Sequence, residues 1–118
     1  MEYNVPIILS EEPIRVEARA LDPNNPYSPC NAIPEQFQSS CYFEMGQWWD
    51  KGYKKDYGKM GSLCETVGNE TNREACFMGI GNVSAPSSEY NVEMTKKKCD
   101  EMPSEDGKVL CRGGASWS

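Results

Sequence analysis

Six cysteines and a complete lack of histidine set the chemical possibilities of this 118-residue chain. The cysteines are Cys30, Cys41, Cys64, Cys76, Cys99 and Cys111. The segment CETVGNETNREAC, from Cys64 to Cys76, could clip a metal, exchange electrons, carry a catalytic thiol or close a covalent staple. A zinc site needs thiolates or imidazoles at short spacing, whereas the closest cysteines here have ten residues between them. Thioredoxin-type exchange has no Cys-x-x-Cys to work with. A serine or cysteine nucleophile lacks its usual general base. The acidic pairs Glu11-Glu12, Asp100-Glu101 and Glu105-Asp106 could serve a glycosidase in principle. They read more simply as solvated loops and helix ends. MGIGN has no Lys-Ser/Thr with which to cradle a phosphate. The sequence therefore points away from an enzyme, a bound metal or a cofactor, and towards cysteines that act as staples.

The composition agrees. Only 38% of residues are hydrophobic and the mean hydropathy is -0.68, so a modest core needs help from cross-links. A net charge of -6 argues against nucleic acid as a partner. The longest apolar run, VPIIL at 5–9, is too short to span a membrane. Cysteine usage suits an exported fold, placed outside the cell, on its surface or in a periplasm. Met1-Glu2-Tyr3-Asn4 does not open a signal peptide, so the expectation is a mature or trimmed chain. A cytosolic protein with reduced thiols is the alternative. Two sequons, Asn69-Glu70-Thr71 and Asn82-Val83-Ser84, fall in expected loops, which makes Asn69 and Asn82 candidates for N-glycosylation.

The cysteine steps are 11, 23, 12, 23 and 12, so from Cys41 onward each cysteine recurs 35 residues later. Self-similarity of this length is the mark of a repeat architecture. Ile33, Val67 and Met102 each stand three residues after the first cysteine of a pair. Gln38, Arg73 and Lys108 stand three before the second, and Gly46 and Gly81 five after it, with Ser116 breaking the last pattern. Tyr57 and Val92 also correspond. Between these markers the sequence predicts short helices. The first opens at Pro34, carries Phe37, Cys41, Met45 and Trp48 on one face and ends at Gly52. The second carries Tyr57, Met60, Cys64 and Val67. A third is expected to open at Thr71, with Glu74 completing a capping box, and to end at Ile80. Residues 81–88 then read as a loop around Pro86. A fourth runs from Tyr90 to Cys99, and Ser104 opens a fifth. The expected fold is mostly α: antiparallel helix hairpins stacked at a period of about 35 residues over 30–118.

A helix pair of this period, with two cysteines per unit as in REACFMGIGN, resembles tetratricopeptide-like α/α repeats, and within them a disulfide-bridged, cysteine-rich branch secreted by some bacteria. The resemblance covers residues 30–118. It implies a right-handed helical stack that binds proteins without catalysis.

Two pairing schemes suit such a stack. In one, each short pair closes: Cys30–Cys41, Cys64–Cys76 and Cys99–Cys111. In the other, Cys41–Cys64 and Cys76–Cys99 staple the remaining hairpins, which leaves Cys30 and Cys111 to meet across the whole stack. A solenoid keeps its ends apart, so the first scheme is expected.

The aromatic segment Trp48–Tyr57 admits two readings. Phe37 and Trp48 belong on the buried face, while Trp49, one helical step of about 100° away, is expected as an exposed partner contact. A carbohydrate- or ligand-binding module built on this segment is the alternative function. Residues 1–29, rich in proline, read as an extended arm. Within it IRVEARA alternates as a strand does, with Ile14, Val16 and Ala18 on one side. A lone strand wants a sheet edge, which VPIILS or a neighbouring chain would supply. The expectation is therefore an assembly or protein-interaction subunit whose partner is another protein, copies of itself included, with glycans as a covalent modification. A non-reducing peptide map should return the three short-range pairs, and a linked Cys41–Cys64 peptide would overturn the pairing.

Overall fold

The computed structural model describes residues 24–116. Five helices follow one another: α1 (Glu35–Gly52), α2 (Tyr57–Glu65), α3 (Glu70–Ser87), α4 (Val92–Asp100) and α5 (Glu105–Ala115). The turns at 24–33 and α1 form the first unit, α2 and α3 the second, α4 and α5 the third. The helices α1, α3 and α5 pack side by side, and α2 and α4 lie against them as a second layer. Each unit closes on its own disulfide: Cys30–Cys41, Cys64–Cys76 and Cys99–Cys111, with Cα atoms 5.4, 5.6 and 5.4 Å apart. The strand-like segment with Ile14, Val16 and Ala18 lies outside the described residues. The last part of the expected arm, 24–29, belongs to the body, because the Tyr27 ring packs tilted against Tyr42 and edge-on against Trp49.

Polar caps repeat with the helices. Asp56, Asn69, Asn91 and Ser104 each accept a backbone N–H through the side chain at the start of α2, α3, α4 and α5. Each such bond satisfies a donor the helix cannot reach, worth about 1 kcal/mol. Asn69, not Thr71, opens α3, because its Oδ1 reaches the Asn72 N–H at 3.0 Å. The fourth helix starts at Val92 rather than Tyr90. Glu89 and Tyr90 hold positive φ angles of 54° and 62°, which a helix cannot accommodate, and Asn91 caps α4 immediately after them.

The largest departure from expectation is the length of α3, which runs through the supposed loop at 81–88 and takes Pro86 into its last turn. Glycine is the reason. Gly79 and Gly81 do not make a turn; they let three helices approach closely. A Cβ at Gly79 would lie 2.0 Å from the Phe43 carbonyl oxygen of α1, and one at Gly81 would lie 1.8 Å from the Cys111 carbonyl oxygen of α5. The partners answer in kind. Gly46 on α1 faces the Gly79 carbonyl, and Gly114 on α5 faces the Met78 carbonyl at 2.0 Å from an added Cβ. The backbone entropy glycine costs in a helix is offset by contact between main chains.

Burial on α1 also differs from the simple stripe. Tyr42, Met45, Gly46 and Trp49 form the buried face, and Trp48 is buried beside it. Trp49, expected as an exposed contact, is 0% exposed, while Phe37, expected in the core, is 42% exposed. Two neighbours decide this. The helix α3 centres on Phe43 and Gly46, and the 24–33 turns cover the next face, where the Trp49 indole N–H donates to the Pro26 carbonyl at 3.0 Å. Phe37 lies near the start of α1, about three turns before Trp49.

Filling the glycine contacts should therefore be costly. Gly79→Ala and Gly81→Ala are each expected to lose about 3 kcal/mol or more, by forcing helices apart. Gly113→Ala, where an added Cβ meets nothing within 4 Å, should gain up to about 1 kcal/mol from helix propensity. Urea unfolding with the disulfides intact measures both.

Candidate binding site: the open end of the stack

The 35-residue period makes the two internal junctions comparable position by position. In the second unit, Tyr57, Met60, Phe77 and Ile80 are buried, with Gly61 and Gly81 between them. The third unit covers this face. Met102 and Pro103 meet Gly61, Gly107 meets the Phe77 ring, and Cys111 meets Gly81. Thirty-five residues on, the same face is Val92, Thr95, Lys96, Arg112, Ala115 and Ser116. No described element covers it. These residues line a groove of about 330 Å³ between α4 and α5, floored by Cys99 and Ala85 and flanked by Tyr90. Its lining is predominantly apolar in character, yet Val92 is 71% and Tyr90 65% exposed. Lys96 and Arg112 stand at its edge. Arg112 makes an exposed contact of 3.4 Å with Asp100, a pair of the kind that contributes little.

A second cluster joins four helices. The carboxylate of Asp50 on α1 is buried and accepts from the Tyr57 hydroxyl at 2.7 Å and from Ser87 Oγ at 3.1 Å. Lys98 Nζ lies 3.4 Å from Ser87 Oγ and 5.0 Å from the centre of the Tyr57 ring. Burial first, then the hydrogen bond to Asp50 and its charge, hold the Tyr57 phenol far above its ordinary 10.0. Burial lowers the Lys98 ammonium, opposed by Asp50 and supplemented by Lys55. A phenol held protonated donates to a carboxylate, and a hydroxyl donates to the same carboxylate. The cluster is thus a satisfied polar joint, which fixes α1, α2, α3 and α4 against one another.

The sequence-derived candidates fall in different places. Trp48, Trp49 and Tyr57 are core residues, and only Tyr53 in the aromatic segment is partly exposed, with Lys59 Nζ 4.3 Å from its ring centre. Asn69 is exposed at the start of α3. Its cap uses Oδ1, while a glycan would be attached through Nδ2, so cap and sugar do not compete for one atom. Asn82 is not in a loop: it lies within α3, and Ser84 of the same sequon is fully buried and donates to the Gly81 carbonyl at 2.7 Å. The loop expectation failed there because the same glycines that pack helices also resemble turn residues. The groove itself is not legible in the sequence. Val92 corresponds to Tyr57 in the period, and only the burial of Tyr57 reveals what that correspondence means.

The polar joint makes a pH prediction. A phenol raised above its unfolded value adds stability that is complete below about pH 10, and that is lost as the solution is made more alkaline. Tyr57→Phe should cost about 1–3 kcal/mol at neutral pH by leaving Asp50 short of a donor. It should also lose less further stability than the wild type between neutral pH and the tyrosine range. Parallel urea titrations at the two pH values measure the difference. In comparisons with known proteins, no family model, no curated protein and no solved structure matches the chain.

Proposed function

We propose that the protein is a non-catalytic interaction or assembly module that works outside the cytoplasm, at a cell surface, in an envelope or in the extracellular space. The observation that carries this reading is the groove between α4 and α5. It is a groove of predominantly apolar lining, standing where the stack buries a face internally, at the end of a body cross-linked by three disulfides. A preorganised apolar groove with a charged edge is suited to receiving a protein surface, since little ordering is left to oppose binding. Three cross-links in a chain of this size favour an oxidising compartment. No helix among the described residues is long and apolar enough to cross a membrane. The resemblance to disulfide-bridged α/α repeats supports the same class of function. The sugar-binding alternative loses support, because the rings of Trp48, Trp49 and Tyr57 are committed to the core.

The test uses the full chain with its disulfides intact, immobilised and exposed to the extracytoplasmic fraction of its native source. A companion retained by the wild type should be lost from Val92→Asp, a substitution at an exposed position that leaves the melting profile unchanged. A set of companions indifferent to Val92→Asp, or none at all, would defeat the reading.

A further inference from the structure

The leading face of α1 stands opposite the groove in the stacking order. At each internal junction, one unit offers a trailing face and the next a leading face. The leading stripe of α3 is Asn72, Ala75 and Gly79, buried against α1; that of α5 includes Gly107 and Gly114, buried against α3. The equivalent stripe of α1, 35 residues before α3, is Phe37, Ser40 and Glu44. All three are exposed. The stack therefore carries a leading face at one end and a trailing face at the other.

We propose that these two ends bind each other, so that copies of the chain stack head to tail with the first unit of one copy seated in the groove of the next. This rests on the interaction reading above and names its partner as a second copy. The internal junctions dictate which residues meet. Gly107 abuts the Phe77 ring, so the first turn of α1 in one copy falls over Arg112 of the other. Gly114 sits over the Met78 carbonyl, which brings Glu44 to the Gly113 carbonyl, between Arg112 and Ser116. Met102 lies against Gly61, which brings Ile33 onto the stem of Lys96. Opposite charges thus face each other: Glu44 on the leading end, Lys96 and Arg112 on the trailing end.

The substitutions also set the strength of the contact. Inside the chain, glycines line each junction of α1, α3 and α5: Gly46 meets Gly79, Gly81 meets Cys111 and Gly114 meets Met78. Between copies Glu44 and Ser116 stand where those glycines would be, so the helices stop at ordinary packing distance. Main-chain contact is replaced by charge. The junction between copies is therefore weaker than those within a chain, reversible, and sensitive to salt. The two surfaces differ, so the contact does not close on itself as a two-fold dimer does, and copies add one after another.

Sedimentation velocity of the full chain, disulfides intact, over a wide concentration range tests this. The mass should rise with concentration beyond a dimer, and less so at high salt. Glu44→Arg and Arg112→Glu, both at exposed positions, should each weaken association by about tenfold or more, and the double exchange Glu44→Arg with Arg112→Glu should restore it to within about threefold. A monomer at every concentration, a closed dimer, or single exchanges that associate like the wild type would overturn the proposal. A monomer that still holds a companion lost on Val92→Asp overturns self-stacking while the interaction reading stands. A monomer with no such companion removes both.

Discussion

Close contact between helix backbones is the constraint on which the structure depends. The helix α3 lies between α1 and α5 with Gly79 turned to one and Gly81 to the other, and neither position has room for a single methyl group. Once the main chains are this close, the inner helices share one layer, and the short helices α2 and α4 have one place to pack. Tyr42, Met45 and Trp49 on one side of α3 and Phe77 and Ile80 on it then fall into a common core. A chain with so few large apolar residues fills its interior partly with backbone, which needs no side-chain ordering and leaves few gaps.

The disulfides and the polar joint act on the outer layer. Each staple closes a loop of about a dozen residues and contributes about 2–3 kcal/mol in the chain-entropy model. Together they are comparable with the net stability of an ordinary domain. The short turns that the staples span do not by themselves hold α2 and α4 in place. The staples tie α2 to α3 and α4 to α5. Asp50, with donors from Tyr57 and Ser87, ties α1, α2 and α3 across units, and Lys98 extends the joint to α4. Covalent bonds thus fix each unit, and hydrogen bonds fix units to one another.

A stack built this way has two unlike ends. Each internal junction consumes one leading and one trailing face, so one of each remains, and the residues at these faces have changed character. Glycine has given way to Glu44 at the leading end and to Ser116 at the trailing end, and Phe77 finds its counterpart in Arg112. Polar ends keep a repeat array soluble; oppositely charged ends around a remaining apolar groove are the feature that the proposed head-to-tail stacking would use.

Among the described residues, the sequence by itself determined the period, the number of helices, the disulfide framework and the starts of α1, α2 and α5. Cysteines are few, so their spacing is hard to mistake, and a cap such as Ser104 acts on the residues immediately after it, whereas the capping box read at Thr71 gave way to Asn69. What tertiary structure decided were the properties that depend on a neighbour. Trp48 and Trp49 differ by one step around α1, and only the placement of Pro26 and Tyr27 shows that both are buried. Gly79 and Gly81 look alike in a turn and in a helix junction, and only the positions of the Phe43 and Cys111 carbonyls tell the two uses apart. The loop assigned around Asn82 vanished for that reason, and the groove at Val92 emerged for it: burial belongs to pairs of surfaces, and one strand of sequence states only half of each pair.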